Sequence, residues 1–214
     1  FHPTFLPKGR GRAPIAWLVL ENKEGAATFF LMGEGADDGP IFVQHKFEIN
    51  SADDAETVED KIGQSIREAL DDWLPKLKRA EWNPKPQDEM EATWYGKRGP
   101  EDGWIDWNLN AVDIDRLIKS SSKPHPGAYT YFKDQKVIIW KSKLEEELHM
   151  KGVAGRIVLK NDTNEYLIQC GEGLLWLRDL RFEIETNLSV GQKLGYNIED
   201  EIYSIKKLLK QIQI

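Results

Sequence analysis

His2 and the adjacent pair Asp37-Asp38 are the residues in the first part of this sequence that could carry out proton chemistry together. An imidazole is the side chain whose unperturbed titration falls in the physiological range, and a carboxylate beside it orients the ring and favours its charged form. Taken alone the signal is weak, because a His near a chain terminus is most often exposed and Asp-Asp-Gly is ordinary turn sequence. Spacing strengthens it. In an open α/β sheet, the loops at the carboxyl ends of neighbouring strands surround one crevice. A strand ending before His2 and another ending at Met32 would bring both loops to the same sheet edge.

Periodicity predicts the elements that do this positioning. Ala13–Leu20 reads as a helix, with Pro14 in the first turn, where its missing N–H costs nothing. Gly25–Met32 reads as a mostly buried strand, the octet Gly33–Pro40 as a turn, and Ile41–Ile49 as a further strand. Ser51 is the expected N-cap of a long helix, with Asp53, Asp54, Glu56, Glu59 and Asp60 complementing the dipole of its first turns. Val58, Ile62, Ile66, Leu70, Trp73, Leu74 and Leu77 then follow at helical spacing to about Pro75–Lys78.

Trp82–Asp88 breaks all periodicity and reads as a linker. Beyond it, a helix over roughly Ala111–Ser120 precedes five short strands: Gly127–Phe132, Val137–Lys141, Gly155–Leu159, Tyr166–Cys170 and Gly173–Leu180. Turn residues separate them, as in a small β-barrel or sandwich. Ile198, Ile202, Ile205, Leu208, Leu209 and Ile212 form the apolar stripe of a last helix. A helix of that length is marginal alone in water, so the stripe is expected to pack on this chain's own barrel or on a second copy in a homodimer.

Composition narrows the function classes. The 214 residues are 40% hydrophobic and 30% charged, as in an ordinary globular protein. No apolar run approaches the roughly 18 residues of a membrane span. The single cysteine, Cys170, excludes an internal disulfide, and with only four His it excludes a thiolate metal site. A reducing, cytoplasmic setting follows most naturally. Net charge is −7, and the small basic groups (Lys76–Lys78–Arg79, Lys97–Arg98 and Lys206–Lys207–Lys210) are dispersed. Nucleic acid is therefore not the leading partner.

The opening His2-Pro-Thr-Phe-Leu-Pro-Lys-Gly-Arg-Gly-Arg-Ala-Pro14, followed by Met32-Gly-Glu-Gly-Ala-Asp37-Asp-Gly39, resembles the 10-formyltetrahydrofolate-dependent formyltransferases. That family, which includes methionyl-tRNA formyltransferase and the sugar N-formyltransferases, shares Asn-x-His, Ser-Leu-Leu-Pro, Arg-Gly and Gly-x-Asp in this order. Residues 91–107, Pro124–Ala128 and Gly191–Gly195 are similar to its linker exit and to landmarks of its C-terminal barrel. The resemblance implies an α/β fold: the second half of a Rossmann-like formyltransferase sheet (residues 1–81), a linker (82–103), a small mostly-β, OB-like barrel (104–195) and a C-terminal helix (196–214). In the family the His lies well inside the chain and follows an Asn, so this sequence is expected to belong to a longer enzyme.

By resemblance, formyl transfer from 10-formyltetrahydrofolate needs donors where oxyanion charge develops, and His2 with the family's Asn supplies them. His2 also handles a proton, and Asp37, one residue beyond Gly35, is its tuner and relay. Asp38 is left as a turn residue. Thr4, Phe5, Leu6 and Pro7 match the segment lining the folate cleft, departing from Ser-Leu-Leu-Pro at two places. Arg12 and the backbone of Gly33, Glu34, Gly35 and Ala36 would complete the folate side, without a metal. The Arg-Gly-Arg-Ala-Pro loop and the stretch Lys97–Gly103 resemble the aminosugar branch, closest to the UDP-4-amino-arabinose formyltransferase type. The expected acceptor is thus the amine of a nucleotide-linked amino sugar. The alternatives are initiator methionyl-tRNA as acceptor, or a non-catalytic binding module if the chain is naturally this short.

Overall fold

Pro14 opens a helix as its fixed φ favours. In the computed structural model, which describes residues 1–195 and 197–212, that helix is the second element in chain order. A short strand β1 (Arg10–Gly11) precedes α1 (Pro14–Glu21), which stops where Asn22 turns left-handed (φ 50°), a conformation Asn tolerates. Strands β2 (Gly25–Phe30) and β3 (Ile41–Phe47) pair antiparallel from Gly25–Phe47 to Phe30–Ile41. The connection between them is the predicted Gly- and Asp-rich turn.

Helix α2 (Ala55–Lys78) covers one face of this hairpin. Ala26 and Ala27, which point to opposite faces of β2, and Ala69 of α2 are wholly buried, so small side chains allow close packing on both faces of the strand. Ser65 of α2 completes the contact, donating to the His45 carbonyl (2.6 Å) and accepting from the Ala27 N–H (3.3 Å). Leu18 and Val19 of α1 meet Val58 and Ile62 of α2 in the core of this region.

The cap of α2 differs from expectation. Asp54, not Ser51, is the N-cap: it accepts from Thr57 N, while Thr57 Oγ1 accepts from Asp54 N. The acids before the helix have separate tasks. Asp53 lies buried in the preceding turn, where it accepts from Asn50 N (2.7 Å) and Lys61 Nζ (2.6 Å). Burial opposes its ionisation, but these donors outweigh it and hold the carboxyl below its usual range.

Residues 82–103 are less of a free linker than their composition suggests. Lys85 exchanges both backbone hydrogen bonds with Ile41 at 2.8 Å, and β4 (Trp94–Tyr95) pairs parallel with β1. This stretch is a strap laid across the first region.

After α3 (Ala111–Ser121) come β5 (Ala128–Phe132), β6 (Gln135–Glu145), β7 (Ile157–Lys160), β8 (Tyr166–Gln169) and β9 (Leu174–Phe182). They form a five-stranded antiparallel sheet in the order β5-β6-β9-β8-β7. Its two edges do not stay open. In the segment after β9, Gly195 N donates to Tyr131 O of β5 (2.8 Å), and Gln192 O accepts from Ile157 N of β7 (2.9 Å). Both edges are thereby joined into a barrel. Ile114 and Ile118 of α3 fill its interior against Val137, Ile139, Ile157, Ile168, Leu175 and Leu177, all fully buried. Helix α1 rests on α3, and Lys119 Nζ donates to Ser51 O (2.6 Å), so the barrel is seated on the first region.

The last helix, α4 (Ile198–Ile212), forms where its periodicity predicts, yet none of its residues is buried. Its stripe does not pack on this chain's barrel. Tyr196, Gln213 and Ile214, which fall in the expected tail segment, lie outside the described residues. Among the described residues no helix is long and apolar enough to cross a membrane.

Cys170 closes β8 inside the barrel core, 1% exposed, and burial pushes its thiol up to about 12. A thiol reagent such as iodoacetamide at pH 8 is therefore expected to leave Cys170 unmodified in the folded protein and to alkylate it in denaturant, as read by intact mass.

Candidate active site

The segment His2–Gly11 has to carry a buried imidazole at one end and a buried guanidinium at the other, and its hydrogen bonds show how. His2 lies antiparallel beside Thr28 of β2, with His2 N donating to Thr28 O (2.9 Å) and Thr28 N to His2 O (3.0 Å). The following turn is fixed by side chains of the hairpin: Thr28 Oγ1 donates to Thr4 O (2.6 Å), and Gln44 Nε2 donates to Leu6 O (2.9 Å). Thr4 is itself buried, with its hydroxyl donating to Lys8 O (2.8 Å).

His2 and Asp37 do meet. The imidazole is 5% exposed; its Nδ1 lies 3.4 Å from Asp37 Oδ2, and its Nε2 lies 2.8 Å from Gly9 O. Both ring nitrogens thus face oxygen acceptors. An imidazolium can donate to both, and a neutral ring to only one of them. Asp37 Oδ2 also accepts from Gly11 N (2.8 Å), which holds the carboxylate at the ring. Asp38 turns the other way, accepting from Gly35 N (3.0 Å), while its Oδ1 is buried without a protein donor. The two acids thus have different partners.

The route by which they meet is not the expected one. The two segments do not end as neighbouring parallel strands, because His2 runs antiparallel to β2. Asp37 reaches the ring because the long turn after β2 folds back, with Asp37 itself in the left-handed region (φ 56°).

What keeps that turn folded back was invisible in the sequence. Arg10 is 2% exposed and is held by a bidentate pair with Glu89 (2.7 and 2.9 Å) and by Gln87 Oε1, which accepts from Nε (3.1 Å) and Nη2 (2.9 Å). The Glu89 hydrogen bond raises the Arg10 pKa against the effect of burial, with Asp38 and Asp37 adding to it; the same bond lowers that of Glu89. The amide of Gln87 then donates to the carbonyls of Asp37 (2.8 Å) and Gly39 (2.7 Å). One strap residue therefore links the buried cation to the turn carrying Asp37. No motif in residues 82–89 marks Gln87; the only sequence signal was the pairing of a cationic loop with an acidic strap.

Close approach explains the glycines. Gly11 has φ +102°, and an added Cβ would lie 2.6 Å from Tyr95 O, the carbonyl that accepts from Arg12 N (3.1 Å). Tyr95 stacks on Trp17 and donates to Glu21 Oε2 (2.7 Å); burial first, and then Glu21, keep its hydroxyl protonated well above the ordinary range.

A groove of about 700 Å³ runs beside this site, lined by Thr4, Phe5, Pro7, Lys8, Leu18 and Tyr95 among others. Three of the residues expected on the folate side, Thr4, Phe5 and Pro7, line it. Leu6 is 1% exposed and its side chain faces the core. Arg12 and Gly33–Ala36 are exposed and do not line the groove; Gly33–Ala36 form the outer part of the turn that ends in Asp37.

The family comparisons follow the same division of the chain. Residues 1–74 match the family model described as formyl transferase, and residues 97–194 match the one for the formyl transferase C-terminal domain. The chain belongs to the formyl transferase family. Among solved structures, HypX from Aquifex aeolicus in complex with tetrahydrofolic acid aligns with a TM-score of 0.70 at 21% identity, covering 89% of this chain and 33% of that one. An N-formyltransferase from Helicobacter canadensis in complex with folinic acid and dTDP-3-aminofucose aligns at 0.62 and 16%, covering 82% and 63%. Methionyl-tRNA formyltransferase from Clostridium thermocellum aligns at 0.55 and 22%, covering 68% and 62%. The shared fold is that of formyltransferases. This formyltransferase-family chain spans about a third of HypX and under two thirds of the other two.

If Gln87 holds the Asp37 turn, Gln87→Ala should leave Arg10 paired to Glu89 but release the turn. The expected loss is about 1–3 kcal/mol in chemical denaturation, the scale of leaving buried polar groups unmatched. Gly11→Ala should cost at least as much, because it meets both the φ and the Tyr95 carbonyl.

Proposed function

We propose that this chain carries the proton-handling half of a 10-formyltetrahydrofolate-dependent N-formyltransferase, with the amine of a nucleotide-linked amino sugar as acceptor. The observation that supports it above all is the pair of buried His2 and half-buried Asp37, whose carboxylate is anchored on Gly11 N and whose ring points its second nitrogen at Gly9 O. In this reading the bound 10-formyltetrahydrofolate supplies the activated one-carbon unit. Nε2 of His2 exchanges its contact with Gly9 O for substrate and donates where negative charge develops. Nδ1 stays against Asp37, which orients the ring and stabilises its charged form while the proton passes.

The residues present fit a reduced folate. Phe5, Pro7, Leu18 and Tyr95 give the groove apolar and aromatic faces; Lys8, Lys23 and Lys46 also line it, each paired with a carboxylate (Glu91, Glu21 and Glu24) with which a folate tail would compete. Thr4, Phe5 and Pro7 are assigned to the folate side through this groove, and Leu6, Arg12 and the backbone of Gly33–Ala36 by the family resemblance alone, since they do not line it. The amino-sugar acceptor is supported by the Helicobacter structure's ligand, by the likeness of the Arg10–Pro14 loop and Lys97–Gly103 to the aminosugar branch, and by the net charge of −7. A cytoplasmic location goes with this reading.

In the complete natural protein, His2→Ala and Asp37→Ala should each lower turnover about a hundredfold or more, the usual scale of general acid–base groups. The double variant should be little worse than either single one, because one residue acts through the other. Near-normal turnover in either single variant would remove the pair from the reaction. The acceptor is tested by supplying nucleotide amino sugars and charged initiator tRNA side by side with formyl donor. Formylation of the tRNA alone would replace the sugar reading.

A further inference from the structure

Helix α4 leaves Ile198, Ile202, Ile205, Leu209 and Ile212 between 44% and 78% exposed. Their spacing is four, three, four, three, the a/d seam of a coiled coil, and Leu208, 57% exposed, flanks that seam at the g position. Charge divides along the same helix. Glu199, Asp200 and Glu201 occupy the first turn, and Lys206, Lys207 and Lys210 follow in the second half.

We propose that α4 is a dimerisation helix that pairs antiparallel with α4 of a second copy of this chain. Opposed in this way, Ile198 packs against Leu209 of the second copy and Ile202 against its Ile205, and the twofold axis repeats each layer. The acidic end of each helix lies along the lysine end of the other. Glu199 and Lys206 both occupy the e position beside the seam, so each meets its opposite charge across the interface twice. A parallel pair would leave Glu199 without a lysine across the seam and would keep only the contact of Glu201 at g with Lys206 at e. It would also place Ile198, Ile205 and Ile212 at d, where Ile favours trimers and tetramers over dimers. A lipid surface matches less well, since it would have to accommodate the acidic turn as well as the lysines.

Light scattering coupled to gel filtration on the full-length protein should give twice the monomer molar mass, and Ile205→Asp should halve it while the far-ultraviolet spectrum keeps its barrel and helix content. Glu199→Lys and Lys206→Glu, each fully exposed changes, should separately weaken the dimer about tenfold, the scale of turning two attractive surface pairs repulsive. Mixing those two variants should restore it, because the mixed pair carries opposite charges at both contacts. A monomeric wild type would overturn the proposal, whether or not it binds anionic phospholipid vesicles. So would a dimer that survives Ile205→Asp, or charge variants that do not complement each other on mixing.

Discussion

A guanidinium stays charged at any pH a protein meets, so burying Arg10 to 2% exposure is tenable only if oxygen acceptors go in with it. Those acceptors come from Gln87 and Glu89, far along the chain, and this requirement lays the strap over the loop of the candidate site. Much else follows from that one contact. Residues 93–95 run parallel to Arg10–Gly11 and close on them through Arg10 N to Thr93 O and Arg12 N to Tyr95 O. The approach is so close that position 11 tolerates no Cβ. Gln87, having given its carbonyl to Arg10, has its amide free for the turn that carries Asp37.

The site is therefore an arrangement of backbone held by side chains from outside it. His2 is fixed through β2, the Thr4–Pro7 turn through Thr28 and Gln44, and Asp37 through Gln87 and Gly11 N. None of these supporting groups needs to touch a substrate. Their collective effect is to keep a carboxylate and an imidazole within 3.4 Å in a setting shielded from water, where electrostatic interactions are stronger than in bulk solvent. The barrel is joined to this region through the α1–α3 contact and through the strap, so the segment that links the two regions is also the one that braces the site.

Local pattern was enough for most elements. The 3.6-residue period of Val58, Ile62, Ile66 and Leu70, the alternation in Ile41–Phe47 and the turn residues between β5 and β9 each express a constraint within a few residues, and the helices and strands lie close to where those patterns put them. Ser51 was the exception. An Asp followed three residues later by Thr satisfies the same two backbone donors, and which of two nearby caps forms depends on how Asn50 and Asp53 close the turn before the helix.

Residue type and short spacing were enough for the four α-helices and for β2, β3 and β5 to β9, while the choice of Asp37 over Asp38 came from the resemblance of the motifs to the family. Three features came from the folded chain instead: residues 82–95 are a brace rather than a free linker, His2 meets Asp37 from an antiparallel segment, and no described residue covers the stripe of α4. The first two depend on contacts between residues separated by tens of positions. Short-range periodicity carries no information about such contacts: Gln87 reads as one more polar residue until the buried charge of Arg10 is brought against it.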